Sequence, residues 1–367
     1  MATYIFTDAL TNRDITMGYP GLNANVIPHE KGTRSDGDRH VLPAQTIHGD
    51  QAIFFPGCSF LNYALPLVDA VYDTLLQQGE VNGISVLCCG KILDFEHQTD
   101  EVIEDFNKSF ADHVVEAGID RFVVSCPNCY DTLQRIFETD ERCAHVKVEA
   151  LPVVLARIGY RIDGNELRRH VVQSLGEQGF EATNPGTIQV AVHDSCPDRK
   201  YGVFADGVRA LFAQNDISEL SHTRSHTRCC GSLARAAGKM DVADRMALRK
   251  ADEALEVGAS AIVTSCMSCV NQISGVVKAA NLQNHDHPMA IYHYLELLYS
   301  WDIPWAYVGS YMKLRFLFDD LEAGTSRTFM GIEDVVCQVA KDNVGAEHGE
   351  EIVAADDIGI FEQSEER

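Results

Sequence analysis

The chain predicts an α/β protein made of two tandem Rossmann-like modules, related by a pseudo-twofold duplication. An extended N-terminal arm precedes them and an acidic C-terminal tail follows. Three observations predict this. The first is a repeat. Cysteines stand at 58, 88, 89, 126, 129, 143, 196, 229, 230, 266, 269 and 337. Subtracting the first five from 196, 229, 230, 266 and 269 gives 138, 141, 141, 140 and 140, so five cysteines recur in the same order at almost the same spacing. Self-similarity at a fixed period is the mark of a repeated structural unit. The second is that short apolar runs (52–55, 84–87, 122–124, 188–192 and 261–264) stop just before cysteine motifs. The third is that stretches of helical periodicity lie between those runs, the pattern of a parallel sheet with crossover helices.

The flanking residues agree with the repeat. QAIFFPGC ends at Cys58 and QVAVHDSC at Cys196. LCCGK holds Cys88 and Cys89, and RCCGS holds Cys229 and Cys230. FVVSCPNC ends at Cys129 and IVTSCMSC at Cys269. Cys143 and Cys337 fall outside the pattern and are read as ordinary thiols.

Taken in order, residues 1–50 are rich in Pro, Gly, Asn and polar residues and are expected to form the arm. The first module spans 51–182. Within it Val102, Ile103, Phe106, Phe110 and Val114 form a stripe at helical spacing, with Thr99 or Asp100 as its cap. The second module spans 183–303. There a helix from Val242 through Met246 to Leu255 stops at Gly258. SHTRSHTR, before Cys229, gives no clear strand. The block MAIYHYLELLYSW, from Met289, is expected to be an amphipathic closing helix. Residues 304–367 are the C-terminal extension; 342–367 carry nine acidic residues and one basic residue, with little periodicity, as in a solvated tail.

Composition narrows the function. A chain of 367 residues with 46% apolar content can bury a sizeable core. A formal net charge of -24 repels nucleic acid and anionic lipid. The N-terminus lacks the basic and apolar regions of a secretory signal, and no stretch reaches the roughly 18 apolar residues of a membrane span. A soluble, cytoplasmic protein is expected, and there cysteines are metal ligands or catalytic groups more often than disulfides.

Five cysteines per module exceed the four ligands of structural zinc. Adjacent cysteines in extended chain point apart, which suits one tetrahedral ion poorly. A dithiol exchange site needs one C-x-x-C, not three cysteine groups per half. Iron–sulfur sites favour all-thiolate donors, and a multi-iron cluster can take adjacent cysteines on different irons. If every cysteine group ends a strand, the thiols gather at the carboxyl edge of each sheet, where open α/β sheets bind ligands. Gly90 and Gly231 are candidates for letting backbone pass close to a cluster or for a plain turn. His193, His222 and His226 could tune a cluster or be structural. Lys91 and Arg199 could favour thiolate or simply face solvent.

The pattern C58-x29-C88-C89-G90-x35-C126-x2-C129, with its repeat C196-x32-C229-C230-G231-x34-C266-x2-C269, closely resembles the CCG domain. Two such domains in tandem resemble the B subunit of heterodisulfide reductase, over roughly residues 51–300. The first C-to-CC gap is short for that family, and the N-terminal arm departs from it. The resemblance implies two non-cubane [4Fe-4S] clusters, one on Cys58, Cys88, Cys89, Cys126 and Cys129, the other on Cys196, Cys229, Cys230, Cys266 and Cys269. It implies reduction of a disulfide, or thiol oxidation, at those clusters. It also implies a ferredoxin-like partner subunit with cubane clusters, because only two cysteines lie outside the repeat, and in some arrangements a flavin-containing subunit. The same module occurs in electron-relay subunits of glycerol-3-phosphate, glycolate, lactate and succinate oxidoreductases. Those often carry a ferredoxin segment, C-x2-C-x2-C-x3-C-P, that this chain lacks. A redox- or iron-sensing regulator is the non-enzymatic alternative.

Overall fold

A computed structural model describes residues 4–8, 13–17, 26–28, 51–85, 88–95, 98–181, 188–284, 286–301 and 303. Strands β1 (Tyr4–Asp8) and β2 (Arg13–Met17) form an antiparallel hairpin. Strand β3 (Val26–Pro28) runs antiparallel to the edge of the first sheet. Parts of the expected N-terminal extended arm, residues 1–50, are thus strand. Pairing β3 there covers an edge that would otherwise present unpaired backbone groups. The acidic segment 342–367 and Cys337 lie outside the described residues.

The first module carries β4 (Gln51–Phe55), β5 (Gly83–Ser85), β6 (Ile119–Val124) and β7 (Lys147–Ala150), in the order β5-β4-β6-β7, all parallel. The second carries β8 (Val190–His193), β9 (Ile217–Ser218), β10 (Ala261–Thr264) and β11 (Ala290–His293), in the order β9-β8-β10-β11, again parallel. Each sheet thus has the doubly wound order 2-1-3-4, and the duplication seen in the cysteines is a duplication of topology. SHTRSHTR, which shows no clear strand in the sequence, holds none; the strand of that position, β9, lies before it, is only two residues long and ends at Ser218. One sequence expectation is corrected. The block from Met289 opens with a strand, β11, before its short helix. All four β11 residues are buried, and a strand buried on both faces shows a continuous apolar run that periodicity cannot separate from a helix.

Helices α1 (Cys58–Tyr63), α2 (Leu65–Gln77), α3 (Lys91–Phe95), α4 (Asp100–Ala117), α5 (Pro127–Thr139), α6 (Leu151–Arg157) and α7 (Gly164–Glu177) precede β8. Helices α8 (Val203–Ala210), α9 (Ser232–Ala236), α10 (Met240–Glu256), α11 (Met267–Asn284) and α12 (Tyr294–Tyr299) follow it. The Thr99 side chain accepts the Val102 amide and caps α4. Gly258, at φ +73°, follows the end of α10. The α4 stripe is buried at Phe110 and Val114, whereas Val102 is exposed.

One core runs through both modules. Phe54, Leu67, Val71 and Leu75 of the first join Val190, Val263, Tyr294 and Leu295 of the second through Leu155, Leu167 and Val171. At the seam α6 lies against α8, where a Cβ on Gly207 would stand 2.9 Å from the Val153 backbone nitrogen. Only glycine lets the helices approach so closely. The Tyr299 hydroxyl reaches back to Thr74 at 2.9 Å. Among the described residues no helix is long and apolar enough to cross a membrane.

Helix α4 carries a partly buried histidine with a measurable consequence. His113 Nε2 has no hydrogen-bond partner, and burial pushes the imidazole down from 6.5 to about 4. The folded value lies below the unfolded one, so the unfolded chain takes up the proton first. Stability is full above pH 6.5 and falls as the pH drops toward 4. The loss from this one group should be about 2 kcal/mol between pH 7 and 5. In urea titrations at the two pH values, His113→Leu should shrink the fall by that amount; an equal fall in both proteins would refute the assignment.

Candidate functional site

The switch point of a doubly wound sheet lies between its first and third strands, where the connections leave in opposite directions and a crevice opens. In the first module Cys58 follows β4 and Cys126 follows β6; in the second Cys196 follows β8 and Cys266 follows β10. Each C-x-x-C motif therefore straddles the switch point with the first cysteine of its repeat, and the adjacent pair enters from the neighbouring loop.

Local geometry holds the thiols in place. Cys126 is the N-cap of α5 and Cys129 lies in its first turn. The Cys129 thiol, helped by the Cys129 and Asn128 amides, holds Cys126 below the ordinary thiol range. Cys266 is held low in the same way by the Cys269 thiol, the Cys269 and Ser268 amides and the Ser195 hydroxyl. These are the exposed N–H groups of a helix start, which favour negative charge. In the CCG turns, the Gly90 amide donates to Cys88 Sγ and the Gly231 amide to Cys229 Sγ, each at 3.4 Å. Gly57, at φ +76°, leaves so little room that a Cβ would stand 2.8 Å from Cys129 Sγ.

The glycines of the two CCG turns do something the sequence left open. Both have positive φ, +80° at Gly90 and +100° at Gly231. A Cβ on Gly90 would meet the Phe106 ring of α4, and one on Gly231 would meet the Ala243 backbone of α10. They let a helix close down on the cysteine turn.

The ten repeat cysteines form two groups of five. In the first, Cys58 lies near Cys89 and Cys126, Cys88 near Cys58 and Cys89, and Cys129 against Cys126 and Cys89. In the second, Cys196 meets Cys229, and Cys230 Sγ lies 3.3 Å from Cys269 Sγ. Burial pushes Cys58 up to about 12, and burial pushes Cys88 up too. Contacts with neighbouring thiols push up Cys129, Cys196 and Cys269, and carry Cys230 to about 12. Thiols crowded this closely, half of them buried, resist carrying negative charge together unless a cation compensates them. An all-sulfur donor set of this kind suits iron–sulfur chemistry.

Other residues singled out in the sequence are now placed. Cys143 is fully buried in the first module's aromatic core, its Sγ 3.7 Å from the Ala111 carbonyl. Lys91 pairs with Asp94 at 2.9 Å and Asp131 at 3.4 Å. His222 pairs with Glu253 at 3.0 Å, and His226 contacts Ser225. His193 is 1% exposed and stands beside Cys230 and Cys269.

Sequence reasoning missed a buried network around the second group. Asp194 is paired to Arg209 at 2.7 Å and accepts the Arg224 amide at 2.7 Å. The Thr227 hydroxyl donates to the Asp194 carbonyl, and Arg199, expected at a solvated surface, clamps the Thr227 carbonyl. Together they fix the long loop that delivers Cys229. The only signal was a pair of acidic residues flanking Cys196 in DSCPDR.

One cysteine of each group, Cys126 and Cys266, lines a small common cleft. Ser125, Cys126 and Asn128 line it from the first module, and Ser265, Cys266 and Ser268, their counterparts in the repeat, from the second; Ser59, Phe60, Met267 and His293 complete the walls. Equivalent residues meeting in one cleft is the arrangement a twofold-related pair produces.

The fold and the site define a duplicated parallel α/β protein with a five-thiol centre at the switch point of each half. The cysteine-rich domain family CCG matches residues 52–134 and again 190–274, each match enclosing one full set of five. This is a protein with two tandem CCG cysteine-rich domains, which point to iron–sulfur or redox function. No curated protein matches the chain. Among solved structures, glutamate racemase isoform RacE1 from Bacillus anthracis is 9% identical, with 77% of this chain and 86% of that one covered and a TM-score of 0.33. PH1733, an aspartate racemase homologue from Pyrococcus horikoshii OT3, is 7% identical, with 68% and 96% covered and a TM-score of 0.26. Likeness this slight carries no functional argument.

Proposed function

We propose that the chain is the cytoplasmic, disulfide-handling iron–sulfur subunit of a heterodisulfide-reductase-like complex. Cys58, Cys88, Cys89, Cys126 and Cys129 hold one non-cubane [4Fe-4S] cluster, and Cys196, Cys229, Cys230, Cys266 and Cys269 hold the other. When bound, each cluster supplies one electron, and a disulfide needs two electrons and two protons to become two thiols. The observation that carries this reading is the cleft between the C-x-x-C motifs, to which both modules contribute equivalent residues. A linear electron wire has no need of two like centres around one cleft, whereas cleavage of one S–S bond uses both.

The protein's own residues supply the setting. Ser59, Ser125, Asn128, Ser265 and Ser268 offer hydrogen-bonding groups at the cleft, suited to the polar flanks of a disulfide. His293 is fully buried, and its Nδ1 accepts the Leu295 amide at 3.4 Å, so its ring is a fixed wall. Electrons come from a ferredoxin-like partner with cubane clusters, with a flavin-containing subunit upstream.

The test is to reduce the anaerobically purified complex and offer it a panel of small symmetric and mixed disulfides, and separately quinones, while following cluster reoxidation. Reoxidation by a disulfide, with two thiols formed per two electrons, is the expected result. Reoxidation by quinones alone would replace this reading with an electron relay.

A further inference from the structure

The duplication is close at the thiols and broken directly behind them. Three residues before Cys58, Phe55 ends β4 and packs edge-on against Phe110 at 6.2 Å and Phe122 at 5.8 Å. The same register in the second half, three residues before Cys196, holds His193. At the repeat's offset of 140, the place of Phe110 is taken by Lys250, which is fully buried and paired with Glu253 at 2.8 Å. One cysteine group is thus backed by phenyl rings and the other by an imidazole and an ion pair.

His193 is 1% exposed, and neither ring nitrogen has a hydrogen-bond partner among the described residues. Buried polar groups are almost always satisfied, so an orphaned imidazole calls for a partner. What lies beside it is sulfur: a ring nitrogen and the Sγ atoms of Cys230 and Cys269 all fall within 4.8 Å of one another, and the two Sγ atoms are 3.3 Å apart. Two thiolates on one tetrahedral ion, with metal–sulfur bonds of about 2.3 Å, stand roughly 3.8 Å apart. The three atoms therefore have the spacing of donors to a common ion. Imidazole nitrogen also ranks among the usual ligands of iron.

We propose that His193 is a nitrogen ligand to iron in the second module, beside Cys230 and Cys269, so that the chain's two clusters are chemically unequal. This rests on the cluster reading of the cysteines. The first module has only the Phe55 ring at the matching position, so its cluster is ligated by sulfur alone. Ligand identity and the groups around it set the potential of an iron–sulfur centre. A nitrogen added to one five-thiolate set and not to the other therefore gives the two clusters different potentials, and the two centres take up electrons in a set order.

The experiment uses the anaerobic complex, partly reduced, in two preparations: one of natural isotopic abundance and one grown with 15N-histidine. Pulsed EPR should show the strong coupling of a directly bound nitrogen that changes from the 14N to the 15N pattern on labelling. His193→Phe, which installs the first half's residue, should lose that coupling, and one of the two reduction steps should shift in potential while the other stays in place. Should the larger ring fail to fit, His193→Leu gives the same reading, and the isotope comparison in the unaltered protein needs no variant. Intact clusters with no bound-nitrogen signal, or a signal that persists in either variant, would overturn the proposal while leaving the cluster reading standing. Iron analysis separates the remaining case: protein that holds zinc and no iron–sulfur chromophore overturns both.

Discussion

Cys89→Ser and Cys230→Ser will each remove roughly half of the iron, about four of about eight atoms if each cluster holds four, and will cut disulfide-driven reoxidation by on the order of 100-fold or more. Both thiols are buried, at 4% and 2% exposure. Cys89 stands against Cys129, and Cys230 lies 3.3 Å from Cys269. A hydroxyl at either place is a harder and less acidic donor, poorly matched to iron–sulfur chemistry. Iron should fall by half because each group holds its own cluster, whereas reoxidation should fall almost completely because the proposed cleavage of one disulfide draws an electron from each. Cys143→Ser is the internal comparison: that thiol lies in the aromatic core, with the Ala111 carbonyl as its partner, and iron content should not change. Iron and sulfide analysis of the three variants, followed by stopped-flow reoxidation, decides it. Equal iron loss in all three would sink the ligand assignment, and half-maximal reoxidation with one intact group would favour the relay.

The parts of the fold that were legible are those where one residue type carries one physical consequence. Ten cysteines in register announced the duplication, Thr99 announced the start of α4, and Gly258 the end of α10. Elements whose stability comes from tertiary contacts stayed hidden. Strand β9 is two residues long and is held by pairing with β8, so its own sequence has no alternation to show. Strand β11 is buried on both faces and so lacks alternation for the opposite reason. Strand β3 exists by pairing with an edge formed more than fifty residues later. At the site, the thiols were evident and their supports were not. Arg199 carries a charge that suggests solvent, and nothing local indicates that it clamps Thr227. His193 was visible as a histidine near a cysteine, but its isolation from hydrogen-bond partners is a fact of packing. The contrast with Phe55 is present in the aligned repeats, and its meaning appears only when both are found behind the same group of thiols.

Among the described glycines, Gly231 should be the one where an added methyl, Gly231→Ala, does most damage. At φ +100° a side chain is strained by itself, which costs about 1–2 kcal/mol. The added Cβ would also stand 2.6 Å from the Ala243 carbonyl oxygen and 2.9 Å from its Cα. Those are backbone atoms of α10, a helix packed through Ala247, Ala251 and Ala254 into the second module's core, so the obstacle cannot swing aside as a side chain would. Either α10 shifts outward or the CCG turn does, and the second option breaks the Gly231 amide's bond to Cys229 Sγ. The combined cost should be about 3–5 kcal/mol, a drop in Tm of roughly 10 °C or more, with loss of the second group's iron. Gly90→Ala meets the Phe106 ring, a side chain that can rotate away at some cost, and should fall between. Gly118→Ala has the positive φ but open space around it, so it should lose only about 1 kcal/mol. Thermal unfolding and iron content of the three variants, compared in parallel, test the order. If Gly231→Ala unfolds at the same temperature as Gly118→Ala, backbone strain alone explains the glycine, and close approach of α10 to the cysteine turn is not what the CCG glycine provides.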